Sequence, residues 1–114
     1  MILSVPELVE QAKKLVNCVS AAEAFKSKSA TFIDVREPEE CTASPVENSI
    51  TIPRGVLEMN IAKHCTDAEM EIYVHCASGG RAALAAEQLQ RIGYKNVKAI
   101  SSPHDDVRQA QKNQ

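Results

Sequence analysis

In this chain of 114 residues the stretch best equipped for chemistry is Cys76-Ala77-Ser78-Gly79-Gly80-Arg81, which follows the apolar run Ile72-Tyr73-Val74-His75. Small residues let a loop curl until successive backbone N–H groups point inward, and a helix starting at its far end adds partial positive charge. Such a cradle binds anions. A sulfur at its centre has its negative form stabilised by the amides, by the helix dipole and by the Arg81 guanidinium. Cys76 is therefore the candidate nucleophile, and Ala77, Ser78, Gly79, Gly80 and Arg81 are the candidate anion-binding residues. An arbitrary cysteine here would be a small apolar residue closing a buried strand. What sets Cys76 apart is the serine, the two glycines and the arginine that follow it in cradle order. Arg54, just after Pro53, is a candidate second anion contact, weighed against an ordinary exposed arginine.

These residues need a scaffold. Ser4 with Glu7 reads as a capping box, and Val5, Leu8, Val9, Ala12, Leu15 and Val16 recur at helical spacing, which predicts an N-terminal helix within residues 1–16. An extended piece at 17–19 leads to a second capping box, Ser20 with Glu23, and a brief helix. The β-branched and aromatic run 31–35, ending in Asp34-Val35-Arg36, predicts a buried strand. Residues 37–48, with Pro38 and Pro45, read as a long loop with room for one helical turn. A short strand at 49–52 is stopped by Pro53, residues 56–64 suit a helix with Leu57 and Ile61 inward, and 70–75 form a strand apolar enough to be buried on both faces. Ala82, Ala85, Ala86, Leu89 and Ile92 share one face of a helix over 80–92, with Gly93 as its C-terminal stop. After a last strand at 97–100, Ser102-Pro103-His104-Asp105 sets a cap, a first-turn proline and an acidic residue in the order that begins a helix. Residues 104–114 are thus expected to be helical, fraying after Ala110. This alternation predicts one α/β domain over 1–114 with a mainly parallel sheet.

Composition narrows the partners. A hydrophobic share of 44% suffices for one core, so a second domain is not expected. Thirteen basic and fifteen acidic residues give a net charge of −2, and the basic ones are dispersed, which argues against nucleic acid or an anionic membrane as partner. No apolar run approaches a membrane span and Met1 to Glu10 lacks signal-peptide character, so a soluble cytoplasmic protein is expected. The four cysteines, Cys18, Cys41, Cys65 and Cys76, form no Cys-x-x-Cys pair and are expected as free thiols. His64-Cys65 and His75-Cys76 raise the thought of a metal. Neighbours on a strand point to opposite faces and no zinc spacing is present, so no metal and no cofactor is expected. Cys41 and Cys65 are candidates to resolve an oxidised Cys76 as a disulfide.

The order of Phe32-Ile33-Asp34-Val35-Arg36-Glu37, Ile52-Pro53, the Cys76 to Arg81 loop and Gly93-Tyr94-x-Asn96-Val97 resembles the single-domain rhodaneses over about residues 19–100. The resemblance implies a parallel sheet of about five strands flanked by helices. It implies that Cys76 takes sulfane sulfur from thiosulfate or a related anionic donor, releasing sulfite, and passes it from a persulfide to a thiol or protein acceptor. It also places the amides of Ala77 to Arg81 and the Arg81 side chain around that persulfide, and gives Asp34 and Arg36 the family's Asp-x-Arg role of tying loops together.

Two departures stand out. Ser44-Pro45-Val46-Glu47-Asn48-Ser49 replaces a Gly-His-Ile-x-Gly-Ala segment found in many members, and Ile100-Ser101-Ser102-Pro103-His104 replaces a Gly-Gly pair followed by tryptophan. They predict a differently bordered pocket and a differently placed last helix. Two other functions compete: a sulfur-carrier or protein-interaction module with little small-molecule turnover, and a cysteine phosphatase or arsenate reductase. The latter enzymes place five residues between cysteine and arginine; here there are four.

Overall fold

Ser4 opens the first helix as its sequence dictates. Its hydroxyl accepts from the Glu7 amide at 3.2 Å, and the Glu7 carboxylate accepts from the Ser4 amide at 3.0 Å. The computed structural model describes all 114 residues. In chain order it runs α1 (Val5–Leu15), β1 (Asn17–Val19), α2 (Ala21–Ala24), β2 (Thr31–Asp34), α3 (Pro38–Ala43) and β3 (Ile50–Thr51). A 3₁₀ turn (Arg54–Val56) then leads into α4 (Leu57–His64), β4 (Glu71–His75), α5 (Gly80–Ile92), β5 (Asn96–Ile100) and α6 (His104–Lys112). No helix is long and apolar enough to cross a membrane.

The five strands form one sheet in the order β1-β5-β4-β2-β3, every neighbouring pair parallel. Parallel strands need crossovers, and the crossovers bury both sheet faces. The alternation along the strands shows it. Ile33, Ile72, Val74, Val97 and Ala99 face one core with Leu57 and Ile61 of α4 and the alanines and Leu89 of α5. Phe32, Tyr73 and Ile100 face the other, with α2 and Val107 of α6. Phe32 and Tyr73 are register partners on β2 and β4, and their rings stack with centroids 5.3 Å apart.

Because all strands run one way, their C-terminal ends share one edge, and the loops that leave it meet there. The ladder is extended at that edge by Val35 N to His75 O, Ile52 N to Asp34 O and Arg54 N to Val35 O, each 3.0 Å. α1 runs counter to β1, so its first residues lie at this edge, while α6 returns the chain to the opposite one, where Gln114 lines a cavity with Ala30 and Asn48.

The structure departs from the sequence reading in four places. Residues 38–43 form a six-residue helix rather than loop with a single turn, because Pro38 stands at its first position and Glu40 closes a capping box on Glu37. Ile92 is 49% exposed, having passed the sheet in the last turn before Gly93. In α1 only Ala12 is buried, and Val5, Leu8 and Leu15 face outward, since this helix covers the margin of the sheet at α5 and β1. Ser102 does not cap α6: its hydroxyl accepts from the Ala21 amide at 2.8 Å, and α6 runs to Lys112 without a side-chain cap.

Candidate active site

β4 delivers Cys76 to the crowded edge, where its side chain is buried at 1% exposure. The loop then turns at Gly79, whose φ of +95° a side chain rarely adopts. A Cβ there would also lie 3.1 Å from the carbonyl oxygen and 3.2 Å from the Cα of Ser101, so close approach demands glycine a second time. Gly80 differs. Its Cβ would meet only a Val9 methyl at an ordinary 3.5 Å.

The turn brings two backbone donors onto the sulfur: Cys76 Sγ accepts from the Gly79 amide at 3.1 Å and from the Ala82 amide at 3.3 Å. The amides of Ala77, Ser78, Gly80 and Arg81 make no hydrogen bond within the chain, as befits the open first turn of α5. Loop, buried sulfur and helix start therefore come together as the sequence suggested. The Ala77 carbonyl accepts from the His104 amide at 2.8 Å, so the start of α6 borders the same loop.

Arg81 stands in the first turn of α5, but its guanidinium is already engaged. Its two Nη atoms donate to the two carboxylate oxygens of Glu40 on α3, at 2.6 and 3.0 Å. The Arg81 hydrogen bonds, aided by the Glu37 amide, hold the Glu40 carboxyl down at about 2, and the same pairing raises Arg81 above the usual arginine value. Arg54 pairs with Glu58 at 3.1 Å one turn on and makes no hydrogen bond to residues 76–81. Sequence reasoning named both arginines and missed Glu40, whose signal was the acidic run around Pro38.

Behind the loop lies a buried ion pair. Arg36 Nε and Nη2 donate to Asp34 at 3.0 and 2.8 Å, while Nη1 and Nη2 also donate to the carbonyls of Glu40 and Ser44 at 3.2 and 2.9 Å. The pair thus ties the C-terminal part of α3 and its cap, Ser44, to the end of β2. Burial pushes the Asp34 carboxyl up, but the Arg36 hydrogen bonds and nearby positive charge outweigh it and leave the carboxyl below its usual range.

The segment that departs from the family pattern is held by hydroxyls. Ser44 Oγ lies 2.8 Å from His104 Nε2 and accepts from Arg108 Nη1 at 3.1 Å, and Ser49 Oγ lies 2.8 Å from His75 Nε2. His75 is fully buried with Nδ1 unpartnered, and burial pushes it down to about 4, so it is neutral. His104 is lowered as well, by burial first and then by Arg36. All four thiols are free; burial raises Cys65, and burial with the Asp34 charge raises Cys41. No three His, Cys, Asp or Glu side chains converge as a metal-ligand set. None of the surface cavities is lined by residues 76–81.

The model of the rhodanese-like domain family matches residues 17–102. A Schizosaccharomyces pombe protein provisionally named a mitochondrial thiosulfate sulfurtransferase is 34% identical in an alignment of 83 residues that covers 61% of this chain and 57% of that one. The chain spans about half the length of the curated relatives it matches. Among solved structures, the polysulfide-sulfur transferase homodimer of Wolinella succinogenes shares 33% identity and superposes with a TM-score of 0.73, covering 87% of this chain and 77% of that one. A Rhodopseudomonas palustris protein of unknown function, described as a possible tyrosine phosphatase, gives a TM-score of 0.81 over 96% of this chain and 92% of its own. At 22% identity that likeness is one of fold.

Proposed function

We propose, since the chain belongs to the rhodanese-like domain family, that it is a sulfurtransferase in which Cys76 carries sulfane sulfur as a persulfide from a donor such as thiosulfate to a thiol acceptor. One observation carries the proposal: the buried Cys76 sulfur accepts two backbone N–H groups at the head of a helix of 13 residues. In the first step the Cys76 thiolate attacks the outer sulfur of thiosulfate. A new S–S bond forms, the old one breaks, and sulfite leaves with the electron pair. The amides of Gly79 and Ala82 stay on Sγ, and those of Ala77, Ser78, Gly80 and Arg81 are the donors left to seat the outer sulfur. An acceptor thiolate then attacks that outer sulfur, takes it as a persulfide, and returns Cys76 as thiolate. Dividing the transfer in two lowers each barrier, and burial keeps water from the charged intermediate.

In this reading residues 1–114 act as one domain, because Ala12 of α1 and Val107 of α6, outside the matched stretch, are both buried. Four unpaired cysteines suit a compartment that keeps thiols reduced, such as the cytoplasm. Phosphatase chemistry is the weaker reading: a phosphoryl group needs donors on three equatorial oxygens, hence a wider ring than the four residues between Cys76 and Arg81 give.

The test is an intact-mass spectrum after incubation with excess thiosulfate and removal of the donor. One sulfur atom is expected on the unaltered protein and on Cys18→Ser, Cys41→Ser and Cys65→Ser, and none on Cys76→Ser. Sulfur retained by Cys76→Ser overturns the assignment. Loading without turnover of any small thiol would make the chain a sulfur carrier. Cys76-dependent hydrolysis of aryl phosphates with no persulfide formed would make it a phosphatase.

A further inference from the structure

The loop that should welcome an anionic donor has its positive charge spoken for. Arg81 is the only arginine or lysine between His75 and Ile92 apart from Arg91, and both of its outward nitrogens are forked onto Glu40. Arg54 is held by Glu58, and Arg108 donates to Ser44. Carboxylates crowd the same edge of the sheet. Glu37, Glu39 and Glu40 surround the start of α3, which leaves the end of β2, and Asp105 and Asp106 lie in the first turn of α6, whose leading amide is bonded to Ala77. Glu37 and Glu39 are exposed, and Glu37 acts on Arg81 alongside Glu40.

We infer that Glu40 is a specificity-determining residue of this site, one that by occupying Arg81 makes Cys76 accept sulfane sulfur at lower concentrations from donors with a neutral or cationic head group than from dianions such as thiosulfate. The inference rests on the sulfurtransferase reading and deepens it. A dianion can use the Arg81 fork only by displacing Glu40, which stays ionised at any working pH because its carboxyl is held at about 2. The displaced carboxylate would then repel the ligand that replaced it. A donor with an ammonium group leaves the Glu40–Arg81 pair intact and finds the exposed carboxylates of Glu37 and Glu39 at the same edge. The chemistry of loading is unchanged: the Cys76 thiolate attacks the outer sulfur of an alkyl persulfide R–S–SH, the S–S bond breaks, R–S⁻ leaves with the electron pair, and the proton stays with the new Cys76 persulfide.

Glu40→Gln tests it, because glutamine keeps the oxygen that accepts from the Glu37 amide at 2.9 Å and so keeps the start of α3. Loading of Cys76 is followed by quenched intact-mass measurement in single turnover, with thiosulfate and with cysteamine persulfide, at several concentrations of each. In Glu40→Gln the half-saturating thiosulfate concentration should fall by about two- to five-fold, the scale of an exposed ion pair, with the maximal loading rate unchanged within about two-fold. The half-saturating concentration of cysteamine persulfide should stay the same or rise. Melting temperature monitors folding, and Glu39→Gln, which leaves Arg81 paired, should reproduce the thiosulfate change only weakly. Equal shifts for both donors, or a thiosulfate value that stays put or rises, overturn the inference and leave the persulfide assignment standing. Failure of both donors to load the unaltered protein overturns that assignment and this inference with it.

Discussion

Burial keeps His75 neutral, and that decides how the protein meets acid. An unfolded histidine titrates near 6.5 and the folded one at about 4, so between those values the unfolded chain binds the proton first. The stability His75 contributes is therefore complete above about pH 6.5 and is lost as pH falls toward 4, an effect on the order of 3 kcal/mol. His104 shifts in the same direction, and Asp34, lowered by Arg36, withdraws its share only below its unfolded value of 3.8. Urea unfolding at a series of pH values should show stability falling through that window, and His75→Gln should flatten the slope; an unchanged slope would mean that His75 is not the group that titrates. The pairings behind this behaviour differ in how far the sequence revealed them. Asp34 and Arg36 are two residues apart and form a recognisable pair. Glu40 with Arg81, His75 with Ser49 and Ser44 with His104 lie 41, 26 and 60 residues apart, and only the strand order brings them together.

At the scale of elements, the two neighbouring glycines of the cradle separate cleanly. Gly79→Ala must place a side chain at φ +95° and against the Ser101 backbone at 3.1 Å, neither of which can yield easily, and should cost about 1–3 kcal/mol. Gly80→Ala adds a methyl in ordinary contact with Val9 at a helical position and should be neutral or stabilising by up to about 1 kcal/mol. Thermal unfolding with sulfur loading measured beside it checks both: loading should drop in Gly79→Ala, where the Ser101 backbone and the loop must part, and survive in Gly80→Ala. Helices announced by a capping box or a long apolar stripe, α1, α2 and α5, were legible in the sequence to within a residue or two. α3 was not, because it buries no residue and so leaves no periodic stripe to read. Only its capping residues and Pro38 mark it.

At the scale of the molecule, β4 sits at the centre of the sheet with one core above and one below, and α6 closes the second core through Val107, which is fully buried beside the α2 and β4 side chains. Val107→Ala removes two buried carbons and should lower stability by about 2 kcal/mol in urea unfolding while leaving sulfur loading intact at temperatures where the protein stays folded. The parallel sheet itself was legible from apolar strands alternating with helices; its order was not, since nothing local says that β1 joins β5 rather than β2. The course of α1 and α6 carries one more consequence. The chain enters at the edge where Cys76 lies and exits beside Ala30 and Asn48 at the far one. The two termini are therefore unequal handles: a tether or fluorophore attached through Gln114 hangs from the pole away from the reacting sulfur, whereas one attached through Met1 starts from the same edge as that sulfur.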